Sequence, residues 1–164
     1  MSYKSFVYSS LLLFSLAACS SNQVGDNSSQ QSSESSTSIA TIIDLTQVGC
    51  QFLEVESQDY KYQPKSAEDC KKINSDTLAN RESGFKPLNL APGKYIFRVT
   101  NVNVPYPLGF YLRGEGIKKV SLPKVSGGGL TQGTTKDYEV ELTAGNYVFS
   151  CPLNPTPNYP VVVN

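Results

Sequence analysis

Leu90-Ala-Pro-Gly-Lys-Tyr-Ile-Phe-Arg-Val-Thr-Asn101 is the stretch that decides the fold. Ala91, Pro92 and Gly93 supply turn chemistry. From Lys94 onward, Tyr95, Phe97 and Val99 alternate with Lys94, Ile96, Arg98 and Thr100. A period of two in aromatic and β-branched residues after a Pro-Gly turn specifies a strand with one face in a core. Further on, Tyr138, Val140 and Leu142 alternate, Ala144 and Gly145 turn the chain, and Tyr147 and Phe149 alternate toward Cys151. This spacing predicts a hairpin. Residues 160–163 are expected to add a strand beside it, and 110–112 and 118–122 to form two shorter ones. Residues 126–134 carry three adjacent glycines with no Gly-Lys-Ser/Thr ending, so a flexible loop is expected there and not a phosphate cradle.

Upstream, residues 39–48 alternate imperfectly, with Ile39, Thr41, Ile43, Leu45 and Gln47 on one face, and predict the first strand. A short second strand is expected over 52–56. Ser66-Ala-Glu-Asp69 starts a helix, because Ser66 caps free N–H groups and the acids favour the positive end of the helix dipole. Ala67, Cys70 and Ile73 then share its buried face. Together these segments predict an all-β sandwich with a short helical insertion near 66–79. Residues 39–164 suffice for one domain with its own core and are too few for two. The 14 Lys plus Arg balance the 14 Asp plus Glu, so nothing in the charge recruits nucleic acid.

Ahead of that domain, residues 6–18 form an apolar run too short to span a bilayer, where about 20 residues are needed. They fit the core of a signal peptide over 1–18. Leu16-Ala-Ala-Cys19 resembles the bacterial lipobox, which implies cleavage before Cys19 and a diacylglyceryl thioether on its sulfur. Two or three acyl chains make a stable anchor at about 0.8 kcal/mol per buried CH₂. The absence of Asp at Ser20 resembles outer-membrane sorting in Gram-negative envelopes, so the domain is expected to face the periplasm. Residues 20–38, rich in Ser, Asn and Gln, bury too little to offset chain entropy and are expected to be a disordered linker.

The stretch from Leu90 to Asn101, with Gly109-Phe-Tyr-Leu and Leu142-Thr-Ala-Gly-Asn-Tyr-Val-Phe-Ser-Cys151, resembles the second half of a cupredoxin, a Greek-key β-sandwich. The resemblance covers residues 88–163. It implies a copper ligand soon after the strand ending at Asn101, where Tyr106 and Pro107 stand. It implies the others on the loop that begins at Cys151, where Asn154 takes a likely histidine position and Asn158 lies near the methionine position. The chain has no histidine, and Met1 is its only methionine. A type 1 copper centre needs imidazole nitrogens beside the thiolate, so electron transfer of that kind is not expected.

Cys50 and Cys70 are expected to pair, one at the end of the first strand and the other on the helix beside it, in a compartment that permits disulfides. Cys151 is then free, as a buried small residue, as a thiol for a soft metal such as copper(I) helped by Asn154, or as a partner in a mixed disulfide. A Cys50 to Cys151 bridge would remove these options. Glu54, Glu56 and Asp59 make either a solvated strand edge or a weak cation site. Tyr106, Phe110, Tyr111 and Tyr159, with Pro152, Pro155 and Pro157, offer a stiff interaction surface rimmed by Arg98 and Arg113, or else belong to the core. Without histidine the commonest general base is missing, and nothing near Cys151 replaces it, so an enzyme is not expected. The expected function is a membrane-anchored envelope lipoprotein whose metal-free domain binds an envelope protein or serves a structural role. The alternative is a copper or soft-metal protein using Cys151 and Asn154.

Overall fold

The structure is a computed structural model that describes residues 39–164. The signal peptide expected over 1–18, and the lipidated Cys19 and linker expected over 19–38, lie outside the described residues. The described part is an all-β sandwich of two mixed sheets with one helical insertion. The strands are β1 (Thr41–Val48), β2 (Gln51–Phe52), β3 (Leu88–Leu90), β4 (Gly93–Asn101), β5 (Leu108–Gly114), β6 (Val125–Leu130), β7 (Thr135–Leu142), β8 (Gly145–Ser150) and β9 (Tyr159–Val163). One sheet has the order β2-β1-β4-β7, the other β3-β9-β8-β5-β6. β1 runs parallel to β4 and β3 parallel to β9, and the chain crosses between sheets from β4 to β5, β6 to β7 and β7 to β8 in Greek-key fashion.

The alternation in β4 carries through: Tyr95, Phe97 and Val99 are buried, and the intervening residues are not. Phe97 stacks on Phe110 from the opposite sheet at 5.4 Å between ring centroids, and Phe52, Phe110, Phe149 and Tyr159 complete an aromatic centre. Each such ring stabilises the fold by about 1.5–3 kcal/mol through burial alone.

Helix α2 (Ala67–Thr77) starts in a full capping box, with Asp69 N–H donating to Ser66 Oγ and Ser66 N–H donating to the Asp69 carboxylate. Its buried residues are Cys70 and Asn74, with Ala67 and Ile73 half-buried beside them. Cys50 and Cys70 form the expected disulfide, closing a separation of 20 residues. In the chain-entropy picture a loop of this size stabilises the fold by about 3 kcal/mol.

Five expectations fail. The predicted hairpin does not form, because β7 pairs with β4 while β8 pairs with β5 and β9 in the other sheet. Residues 53–56 are not strand: β2 stops at Phe52, and Leu53–Glu56 is a single turn of helix, α1. Glu56 is consequently not on an edge with Glu54 and Asp59 but buried in an ion pair with Arg81. Glu54 accepts from Thr46 N–H at 2.8 Å, and Asp59 pairs with Lys61, so the three acids form no cation site. Residues 118–122 are a turn that follows a 3₁₀ segment at Gly116–Lys118. The glycine stretch is strand β6, because the Tyr138 ring crosses from β7 to lie where a Cβ at Gly127 would stand 2.9 Å away.

The Glu56–Arg81 pair is tied into its surroundings. Tyr159 Oη donates to Glu56, Arg81 also donates to Asn74 Oδ1, and the guanidinium lies over the Tyr60 and Tyr62 rings at 5.7 and 5.8 Å. Burial is the largest single influence and opposes the Arg81 charge, but the hydrogen bonds that Arg81 donates to Glu56 and the attraction of that carboxylate together outweigh it, and its pKa is raised. Replacing Arg81 by Leu strands a buried carboxylate and is expected to cost about 3–5 kcal/mol in urea unfolding. Glu56→Gln in the same chain removes the stranded charge and is expected to recover part of that loss; no recovery would refute the ion-pair account.

Candidate functional site

β8 delivers Cys151 to one end of the sandwich, where the loop to β9 folds back around it. Asn154 N–H and Thr156 N–H both donate to the Cys151 carbonyl, at 3.2 and 3.3 Å, and Cys151 N–H donates to Thr156 Oγ1 at 2.8 Å. The thiol is fully buried and accepts from Gly109 N–H on β5 at 3.3 Å. Burial pushes its pKa up against the backbone N–H groups that would lower it, so the site favours a thiol over a thiolate. Gln47 Nε2 donates to the carbonyl of the same Gly109 at 2.8 Å, while Gln47 Oε1 is buried without a partner in the protein. With the Cys50–Cys70 bridge formed, Cys151 is the free cysteine among the described residues.

Asn154 does not face out of the loop. Its carboxamide is fully buried, with Nδ2 donating to the Val48 carbonyl at 3.0 Å and Oδ1 accepting from Cys50 N–H at 3.2 Å. Oδ1 also touches Cys70 Sγ at 3.1 Å, a contact without a proton because that sulfur is bridged. The Tyr106 hydroxyl lies 3.2 Å from both Asn154 Oδ1 and the Ser66 carbonyl, and its single proton serves the two acceptors in turn. Burial, reinforced by nearby Cys151 and Asp69, pushes Tyr106 up to about 12. Asn74 Nδ2 completes the joint by donating to the carbonyls of Cys50 and Pro155, the latter at 2.6 Å.

The expected interaction surface divides. Phe110, Tyr159 and Pro157 are buried, with Phe110 and Tyr159 in the aromatic centre, so they belong to the core and not to a surface. Pro152 is exposed, and Tyr106 and Pro155 are half-buried. Arg113 is at this end, donating to Ser150 Oγ at 3.1 Å and Asn158 Oδ1 at 2.7 Å and lying 4.8 Å over the Tyr111 ring. Arg98 is not at this end: it forms a two-pronged pair with Asp137 on the other sheet. An open groove of about 610 Å³ does run past this end, between Pro152, Leu153, Tyr111, Ser126 and Gly128.

As a copper centre the donor set does not fit. The thiol is held protonated, the Asn154 oxygen is committed to backbone and Tyr106, and Asn158 is held by Arg113. Among the described residues, no three His, Cys, Asp or Glu side chains converge to hold a metal ion. The sequence reasoning missed Gln47, Asn74 and Gly109. The first two had a visible signal, since each is a polar residue on the face that Leu45 or Cys70 buries. Gly109 had none, because its role lies in its backbone.

No family model matches the chain, and no curated protein matches it. Solved structures similar to it, each over 76% of its length, include Lac15 from a marine microbial metagenome at 13% identity and a TM-score of 0.39. This chain spans 27% of Lac15. Auracyanin B is 10% identical with a TM-score of 0.42, and 89% of it is covered. Auracyanin A, a "blue" copper protein of the green thermophilic photosynthetic bacterium Chloroflexus aurantiacus, is 12% identical with a TM-score of 0.38 over 99% of its length.

Two outcomes follow from the site. Asn154→Ala leaves Cys50 N–H and the Val48 carbonyl unpaired in the interior and is expected to cost about 2–4 kcal/mol in urea unfolding. A loss under about 0.5 kcal/mol, the range of ordinary surface changes, would contradict the joint described above. On the alkaline side, Cys151, Tyr106, Tyr138 and Tyr159 all have raised pKa values. The unfolded chain therefore releases these protons first, from the ordinary values of 9.0 and 10.0 upward. Their contribution to stability is complete below pH 9.0 and drains as pH climbs toward the folded values, about 12 for Tyr106. A thermal midpoint that stays level from pH 8 to 11 would show that folding does not shift these groups.

Proposed function

We propose that this chain is a cell-envelope lipoprotein, held on a membrane by acyl chains at Cys19, whose β-sandwich is a metal-free module for binding or for structure. On this reading it faces the periplasm from the outer membrane and uses the Cys151 end to meet an envelope protein. The anchor is supported by Leu16-Ala-Ala-Cys19 and the polar linker after it. Among the described residues no helix is long and apolar enough to cross a membrane.

The observation that carries the metal-free reading is the occupation of Asn154. A loop that ligates a metal keeps its donor atoms free until the ion arrives, whereas here the amide joins β1, the disulfide and Tyr106. Binding is favoured over catalysis because Cys151, the strongest nucleophile, is buried and held neutral. The groove beside Pro152 and Leu153 offers a stiff rim, since prolines on that loop lose little entropy on docking.

The test is metal content after growth with added copper, on acylated protein purified without chelators, with a thiol count before and after unfolding. We expect no bound copper and one thiol that reacts only once the chain is unfolded. One copper per chain, abolished by Cys151→Ser, would replace this reading with the soft-metal alternative.

A further inference from the structure

The loop from Glu115 to Pro123 lies away from the Cys151 end, and Lys124 after it lines the groove. Its sequence, Glu115-Gly-Ile-Lys-Lys-Val-Ser-Leu-Pro123, carries two lysines against one glutamate. Ile117 and Val120 are exposed at 105% and 89%, more than any other branched aliphatic on the described surface except Ile39 at 92%. They are not loose ends of a poorly packed segment. Leu122 is buried in a notch between Gly114 and Gly145, where a Cβ on either glycine would come within 2.9 Å of it. Glu115 N–H donates to the Asn146 carbonyl at 2.8 Å, and Gly116 turns the chain at a φ of 69°. The loop is pinned at both sides so that its apolar tip points into solvent.

The strand register places this tip. Thr41 pairs with Tyr95, Gly93 with Leu142, Gly145 with Val163, and Gly114 with Tyr147. All of these lie at one end of the sandwich, opposite the loop that holds Cys151. That end is where the described chain begins at Ile39, 20 residues after Cys19 by sequence number. The exposed aliphatic tip, Lys119 and the start of the described chain thus lie at the same end of the domain.

We propose that the tip of this loop docks on the bilayer that holds the acylated Cys19, with Ile117 and Val120 entering the headgroup boundary and Lys119 meeting anionic phospholipid. This rests on the lipoprotein reading for the tether but not for the docking itself. Apolar side chains of surface-seeking segments reach about 5–10 Å into the interface, and basic residues add attraction to anionic lipid. Burying one such aliphatic changes an equilibrium by about a factor of ten or more. β8 alone, at about 3.3 Å per residue, separates the two ends by roughly 20 Å, so a docked tip holds the Cys151 groove clear of the membrane.

The chain has no tryptophan, so Ile117→Trp and Leu153→Trp each give a single reporter, one at either end. Acylation is first read from the mass of the Cys19 peptide. The full acylated chain is then placed in vesicles of phosphatidylethanolamine, phosphatidylglycerol and a phosphatidylcholine brominated in its acyl chain. We expect the Ile117→Trp emission to shift to the blue and be quenched, and Leu153→Trp, carrying the same indole, to stay red and unquenched. Adding Val120→Asp to Ile117→Trp is expected to lower the docked fraction about tenfold. Equal quenching at both ends, or none at 117, would overturn the docking. An unshifted 117 reporter that responds only to added envelope protein would overturn it in favour of a protein partner. A chain without lipid at Cys19 would refute the anchor alone, because the same quenching is then read on vesicles to which that chain is added.

Discussion

The carboxamide of Asn154 is the joint on which the Cys151 end depends. One side chain from the β8–β9 loop donates to the end of β1 and accepts from the second residue after it, across more than a hundred positions of sequence. Cys50 takes a positive φ of 64°, which is unusual for a residue with a Cβ, and three constraints hold it there: the Asn154 acceptor, the Asn74 donor and the bridge to Cys70. The first comes from the last loop and the other two from α2, so the β1 corner, the helix and the last loop form one rigid unit. A position that the cupredoxin resemblance assigns to metal ligation is here occupied by an internal strut.

The second buried polar group works differently. Glu56 and Arg81 are both removed from water, and their attraction is helped to repay desolvation by the bond that Tyr159 donates to Glu56 and those that Arg81 donates to Thr77 and Asn74. Its value lies in specificity more than in net stability. It fixes one position for α2 and the segment after it against β9, which a purely apolar patch of the same size would leave free to slide.

What was legible in the sequence follows the range of the interaction. The alternation of β4 and the N-cap at Ser66 are local patterns and appear as written, whereas the alternating segments 138–142 and 145–149 form strands that part into different sheets instead of a hairpin, because pairing partners are chosen by distant segments. The disulfide was legible because few cysteines were available to pair. Glu56 was misplaced because nothing within several residues of it announces Arg81. The glycines of β6 were taken for a loop because their reason lies on another strand, in the Tyr138 ring that needs the space. At the site, whether a polar atom of Cys151 or Asn154 is free or spent depends on Gly109, Val48 and Cys50, which no local pattern reveals.

β6 is the outermost strand of its sheet, with β5 as its one neighbour, and it shows the solvent a run of glycines. Its pairing with β5 is interrupted by a register shift between Leu108 and Phe110, and the Lys136 ammonium donates to the Gly128 carbonyl at 2.6 Å. Low strand propensity, a broken ladder and a charge seated on an acceptor are the means by which a sheet avoids recruiting a second strand. On the proposed tether, copies would share a thin layer in which edges meet far more often than in free solution. There, the bluntness of this edge would keep neighbours from joining into a continuous sheet.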